Sequence, residues 1–480
     1  MAKQTSDLVL EAVEELESSR PVNQKIGKSA TVVRDGDKII IPDNMSYQNA
    51  ITWIQRQMES EEKAINIHDS IPCYPLDGAV AVMKALKDIY GFVSLTDTPG
   101  FFGGSPPNLV QVPLADGTFE TAVIGRISIP KWEGGHIDIG VGRGEAVLLL
   151  SGTVKKKNER EVKRVIAAVR EKLKTDSIYK GRAIKVDLTF LHDDDHDFHP
   201  VNDSPKFMDV ESVDESSLIL NDVTAFNLDT HLFLLIENSE DCVANNIPLK
   251  YGCLLSGSFG TGKTLTALVT AKKCVRNSWT FIYLQNSSHI AEALNLATLY
   301  SPAVVFSEDT DQAMAAGRTE SVNAILNQMD GVDTKGTSII TILTTNNPDS
   351  IERAMLRPGR IDDVFEFEAP DAKTATRFVE RLAVDDERRS LVEPGTDLTE
   401  VGEAMAGFVP AFISRAIQKA KQFTMKREGK DIVGKVTATD LILAAQSLRK
   451  QEARVNRPKE KSEAEKLHDA VSLVGDVIND

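Results

Sequence analysis

From about residue 210 onward, short uninterrupted apolar runs alternate with stretches of helical periodicity. Residues 252–256, 280–284, 303–306, 338–344 and 364–367 read as strands buried on both faces, and their separation by helices predicts a parallel sheet wrapped by helices. Residues 370–450 are helical throughout, with apolar positions at helical spacing in 411–423 and 441–448. The first 210 residues follow a different pattern. Helices are expected at 47–58, 76–90 and 157–174, and β-like runs at 109–114, 119–130, 136–141, 146–154 and 183–190. Charge, proline and lost periodicity in 192–205 mark a linker. The expected organisation is a separate mixed α/β N-terminal domain over 1–210, an α/β core over 211–369, a helical lid over 370–450 and a charged, amphipathic tail over 451–480.

Composition narrows the function classes. The chain has 480 residues, 41% hydrophobic and 26% charged, as in an ordinary globular protein of several domains. With 55 basic and 71 acidic side chains the net charge is -16, and no basic stripe is visible, which argues against a nucleic-acid partner. Cys73, Cys242, Cys253 and Cys274 are widely spaced, which fits a reducing compartment, so a cytoplasmic location and no zinc site are expected. The longest apolar runs fall far short of the roughly 20 residues that cross a bilayer, so no membrane role is expected. The N-terminus reads as an amphipathic helix rather than a targeting signal.

Gly257-Ser258-Phe259-Gly260-Thr261-Gly262-Lys263-Thr264 fits G-x-x-x-x-G-K-[ST], between an apolar strand and a helix. Its glycines let backbone N–H groups fold inward around a phosphate beside the positive end of the next helix. Lys263 would reach the β and γ oxygens, and Thr264 would hold Mg²⁺. About forty residues later an apolar strand ends in Glu308-Asp309, with Asp311 beyond. At the C-terminal edge of a parallel sheet one carboxylate can hold Mg²⁺ and the next can polarise water, although such a run alone also suits an acidic helix start. Asn346 follows a third buried strand, where a neutral amide can orient water. Arg357 and Arg360, in AMLRPGRID, could stabilise charge on a transferring phosphoryl group; alone they would read as surface arginines.

GSFGTGKT, VVFSED, LNQMDGVD and TTNNPDSIERAMLRPGRID, in this order and spacing, resemble the AAA ATPase family over roughly half the chain. The resemblance implies ATP and Mg²⁺ as cofactors. It also implies a homo-oligomeric ring, usually a hexamer, with Asn346 as the sensor that orients water and Arg357 and Arg360 acting on the neighbour's γ-phosphate. The helical region would be the lid. There Ala411 of GFVPA falls where many relatives carry a small residue and others a second sensor arginine, for which Arg415, one turn on, is a weak substitute. Three features depart from the family pattern. Ser258 and Phe259 replace two prolines of the loop, the usual Asp-Glu order is reversed in Glu308-Asp309, and only about eighteen residues, 285–302, separate two strands, without a recognisable pore-loop motif. The second and third look like the branch that contains the mitochondrial Rieske-protein translocase, which handles folded cargo; that branch's membrane helix is lacking.

The expected function is Mg²⁺-dependent ATP hydrolysis by an oligomer that remodels, disassembles or unfolds a protein or complex recruited through residues 1–210. The rivals are an ATP-gated scaffold that does not hydrolyse, motivated by the reversed acidic pair, and a DNA-processing ATPase, against which the charge argues. Other features read more plainly. His192, His196 and His199 among Asp193, Asp194, Asp195 and Asp197 suit a solvated acidic loop better than a cation site. Gly140, Gly142 and Gly144 imitate a dinucleotide turn but precede a β-like run, and Phe101-Phe102 in a glycine loop suits either an inward anchor or a partner contact.

Overall fold

The computed structural model describes residues 33–35, 38–40, 45–100, 103–142, 146–189, 203–310, 338–347 and 355–455. Phe101-Phe102, the 192–199 run, Asp311, the 326–333 string, the N-terminal amphipathic stretch and the tail beyond 455 lie outside them.

Two small ribbons, β1 (Val33–Asp35) with β2 (Lys38–Ile40) and β5 (Thr98–Gly100) with β6 (Gly103–Ser105), accompany a larger antiparallel sheet in sequence. That sheet contains β3 (Ala64–Pro72), β4 (Ser94–Leu95), β7 (Asn108–Pro113), β8 (Phe119–Ser128), β9 (His136–Val141) and β10 (Val147–Lys155), in the order β3-β10-β9-β8-β4 with β7 on β8. Alternation of side chains across the pleat decides which face is covered. Leu148, Leu150, Val154, Ile137 and Ile139 are buried beneath α2 (Pro75–Tyr90) and α3 (Glu159–Thr175), while α1 (Tyr47–Glu62) precedes β3. α3 contributes Val162, Val165 and Val169, the stripe expected of an amphipathic helix. The other face is polar, and its register aligns His68, Ser151, Asp138 and Arg126 in one row.

The second sheet has seven strands: β11 (Ala183–Val186), β12 (Lys206–Phe207), β13 (Tyr251–Ser256), β14 (Thr280–Leu284), β15 (Ala303–Ser307), β16 (Ile339–Thr345) and β17 (Asp363–Glu366). Their order is β12-β11-β14-β15-β16-β13-β17, and every pairing is parallel except β11 with β12. Both faces are buried, as the apolar runs require. Cys253, Leu255, Phe281, Val304 and Phe306 share a core with α4 (Lys263–Arg276). Leu254, Ile282, Val305 and Leu343 share the opposite core with α5 (Ile290–Leu299) and the N-terminal helices. A C-terminal helical region of α6 (Ala372–Leu382), α7 (Thr399–Met405), α8 (Pro410–Glu428) and α9 (Ala438–Val455) has its own apolar core. The architecture is thus an N-terminal antiparallel α/β unit, a mostly parallel α/β sheet and a C-terminal helical region.

One strand does not respect the 210 boundary. Residues 183–186, placed by sequence pattern with the N-terminal domain, hydrogen-bond in parallel to β14, with Lys185 opposite Tyr283. Non-local pairing of this kind leaves no mark on the local pattern.

The N-terminal unit meets the second sheet through a buried joint. Tyr74, Tyr179 and Tyr300 pack edge to face, with centroids 5.8 Å and 6.3 Å apart around Tyr179, and the Tyr300 hydroxyl accepts from the Tyr74 backbone N–H. Beneath them Asp77 accepts from Ser177 Oγ at 2.7 Å and from the Ile178 N–H at 3.0 Å, pinning the segment between α3 and β11. Burial pushes the Asp77 carboxyl up to about 6, against the pull of these hydrogen bonds. A carboxyl raised in the folded state binds its proton more tightly folded than unfolded. It therefore costs stability above pH 6, and the cost fades as pH falls from 6 towards 4. The difference of about two units corresponds to about 3 kcal/mol at most. Asp77→Asn, which removes the charge and keeps an acceptor oxygen for only one of the two donors, should raise the urea midpoint relative to the parent more at pH 8 than at pH 5. A gain equal at both values would contradict the assignment.

Candidate active site

Four loops converge at the C-terminal edge of the parallel sheet. The first, between β13 and α4, turns so tightly that a Cβ on Gly257 would sit 2.4 Å from the Phe367 carbonyl oxygen; only glycine fits. Gly260 and Gly262 have φ of 80° and 110°, which place the following amides at the N-terminus of α4. Lys263 is buried, and its ammonium is held by three oxygens: Gly257 O at 2.5 Å, Ser258 O at 3.0 Å and Asn346 Oδ1 at 2.9 Å. Thr261 caps back onto Ser258 O, and Phe259 is 75% exposed, consistent with a loop position that makes no core contact.

The second and third loops bring the acidic pair and the amide together. Thr264 Oγ1 donates to Glu308 Oε1 at 2.5 Å, so Glu308 turns towards the loop's threonine. Asp309 turns the other way and accepts from Asn346 Nδ2 at 2.7 Å. Asn346 thus bridges Lys263 and Asp309, spanning the site with one side chain. Asp309 has φ of 49°, in the left-handed region that a residue with a Cβ adopts at a cost; its N–H donates to Thr344 Oγ1 at 3.1 Å, which holds the backbone there. Thr310 Oγ1 donates to Thr344 O at 2.9 Å and ties the same turn to β16.

The sequence reading missed Tyr283, whose phenol donates to Glu308 Oε2 at 2.6 Å. A tyrosine in the apolar run TFIYL reads as core, and its only signal is a polar tip near the strand's C-terminal end, where the sheet's ligand edge lies. Burial and the neighbouring Glu308 carboxylate push this phenol up, so it stays protonated and donating.

The fourth element belongs to the C-terminal helical region. A Cβ on Gly260 would lie 3.8 Å from Val409 Cγ2 and 4.0 Å from Ala411 Cβ, so the turn before α8 borders the loop. Arg449 fixes this turn, donating to Ala404 O and Ala406 O and stacking 4.3 Å over Phe408. From α6, Arg377 donates to Leu220 O at 2.6 Å, and Leu220 in turn borders Gly262. Arg415 donates to Gln418 Oε1 within α8.

Arg357 and Arg360 do not join this cluster. Their turn lies before β17, at the N-terminal end of β13, where a Cβ on Gly252 would collide with Arg360 O. Asp362 locks it by accepting from Gly252 N at 3.0 Å and Gly359 N at 2.7 Å. Five residue steps along the strand lead from Gly252 to Gly257, which puts the turn's backbone about 16 Å from the loop. Arg357 is exposed there.

The residues present fit a magnesium ion with a bound nucleotide. A threonine hydroxyl and a carboxylate 2.5 Å apart are hard oxygen donors of the kind Mg²⁺ takes together with phosphate oxygens and water. Among the described residues no group of three or more histidine, cysteine and acidic side chains could hold a metal by itself, and no helix is long and apolar enough to cross a membrane.

Residues 253–369 match the model of the ATPase family associated with various cellular activities (AAA), so the chain carries an AAA ATPase family domain. Distant similarity extends to FtsH proteins. The chain is 26% identical over 252 residues to the ATP-dependent zinc metalloprotease FtsH 1 of Petrotoga mobilis, covering 48% of this chain and 36% of that protein. It is 27% identical over 278 residues to the ATP-dependent zinc metalloprotease FtsH of Kosmotoga olearia, covering 53% and 40%. To the chloroplastic FTSH 1 of Oryza sativa subsp. japonica it is 25% identical over 244 residues, covering 47% and 34%. The chain thus spans 40% or less of the length of these relatives.

Proposed function

We propose that the protein is a Mg²⁺-dependent ATPase that works as an oligomeric ring and remodels a protein or protein complex recruited through its N-terminal unit. The observation that carries this reading is the convergence of Lys263, Thr264, Glu308, Asp309 and Asn346 on one glycine loop, in two connected hydrogen-bonded sets. The matched family domain implies an ATP-driven activity. The name of the FtsH relatives also speaks of zinc peptidase chemistry, but this sequence contains no H-E-x-x-H pair, so that activity is not carried over.

The chemistry is in-line attack of water on the γ-phosphate. Backbone amides of Gly260 to Thr264 cradle the phosphates, and Lys263 exchanges the Gly257 and Ser258 carbonyls for β and γ oxygens. Thr264 and Glu308 would hold Mg²⁺, whose charge offsets the negative charge on the phosphates. Asp309 accepts the proton of the attacking water, and Asn346 holds both Asp309 and that water in place. Arg357 and Arg360, about 16 Å from their own loop, are too distant to complete it but suit a neighbouring subunit's site. Oligomers are typical among AAA proteins, and the proposed ring is a hexamer.

A mixing experiment tests the shared site. Lys263→Ala removes the loop's cation and Arg360→Ala the arginine offered to the neighbour, so each variant alone should be inactive. Mixed, the Lys263→Ala subunits supply Arg360 to partners with intact loops, and part of the ATPase activity should return. Failure of the mixture to recover any activity, with both variants folded and assembled, would contradict a site built from two subunits.

A further inference from the structure

We infer that Tyr283 is a positioning residue for Glu308, holding its carboxylate in the orientation that receives the nucleotide's metal ion. The inference rests on the reading of Glu308 as the metal-side carboxylate. Both oxygens of that carboxylate are occupied in complementary ways: Oε1 faces Thr264 at 2.5 Å, and Oε2 takes the Tyr283 phenol at 2.6 Å. Glutamate has one more rotatable bond than aspartate and so more freedom to lose when it is fixed. A second donor on the far oxygen, aimed from a rigid strand, confines it.

The phenol is itself well held. Tyr283 lies on β14, its ring packs on Phe306 with centroids 5.3 Å apart, and Lys185 of β11 stands 5.3 Å over its face. β11 is the strand that follows the N-terminal unit and pairs with β14 at this residue, Lys185 opposite Tyr283. The reversed order of the acidic pair therefore has a structural counterpart. A longer carboxylate occupies the metal side, and a tyrosine stands where it can meet the added reach.

The test is Tyr283→Phe, which removes one oxygen and keeps the ring packing. The Mg²⁺ concentration giving half-maximal binding of a fluorescent non-hydrolysable ATP analogue should rise roughly tenfold, the scale of one hydrogen bond to a charged group. Affinity for the same analogue in EDTA should not change, which also shows that the variant is folded. Glu308→Asp provides the second arm, because its carboxylate is drawn back from the phenol by about one carbon–carbon bond, ~1.5 Å. In that background Tyr283→Phe should add little further shift, so the two substitutions should be strongly non-additive. A Mg²⁺-dependent parent whose Tyr283→Phe variant is unshifted, or full additivity with Glu308→Asp, overturns the inference alone. A parent whose analogue binding ignores Mg²⁺ overturns the reading of Glu308, and this inference with it.

Discussion

Asp309→Asn should lower ATP turnover by about two to four orders of magnitude while leaving ATP affinity within a few-fold of the parent. The range is that of losing a positioned general base. The substitution keeps the shape of the side chain and an oxygen able to accept from Asn346 Nδ2, now at 2.7 Å from Asp309 Oδ1, but removes the charge that takes a proton from water. Binding should survive because Asp309 lies on the side of the site away from Thr264 and Glu308, and Lys263 reaches it only through Asn346. Steady-state turnover at saturating ATP, with binding measured separately, distinguishes the two effects. If affinity and turnover fall together, Asp309 belongs to the binding set and the division of roles between the two acids is wrong.

Lys263→Ala should weaken ATP binding by at least about a hundredfold, the cost of two or more charge-assisted hydrogen bonds to phosphate. The side chain is already buried in the loop and points inward onto three oxygens, so phosphate oxygens replace partners without reorganising the chain. Its loss also leaves Asn346 Oδ1 without the ammonium that orients it, which should loosen Asp309 at one remove. Calorimetry on the variant provides the check; an unchanged dissociation constant would remove Lys263 from the phosphate site.

Much of this site was legible from sequence because its parts are local. A buried strand, a glycine loop with Lys263 and Thr264, and a helix form one continuous stretch, and Glu308, Asp309 and Asn346 each follow directly on an apolar strand. Parallel strands bring those ends to one edge, so the pattern alone brings the residues near each other. What was not legible depends on distant partners. Tyr283 acts through a carboxylate on the next strand, and nothing in TFIYL distinguishes it from a core aromatic. Ala183–Val186 joins the second sheet although the strand and helix before it, β10 and α3, belong to the N-terminal unit. The placement of Arg357 and Arg360 depends on Gly252, where a strand start and a turn remote in sequence press backbone to backbone. The left-handed Asp309 also escapes a reading by residue type, since its conformation is imposed by Thr344 on the adjacent strand.

The reversed pair Glu308-Asp309 raised the possibility of a site that binds ATP without using it. The structure separates the two acids by partner: the longer one meets Thr264 and Tyr283, the shorter one meets Asn346. Each has a distinct place, which is what a division between metal and water requires.

The most direct measurement is Mg²⁺-dependent ATP turnover per subunit across protein concentration, with Asp309→Asn beside the parent. Specific activity should rise with concentration in the parent, as sites completed by Arg357 and Arg360 of a neighbour form, and stay near background in the variant. A parent that binds ATP yet turns it over no faster than Asp309→Asn at any concentration would contradict the account and leave a nucleotide-gated scaffold in its place.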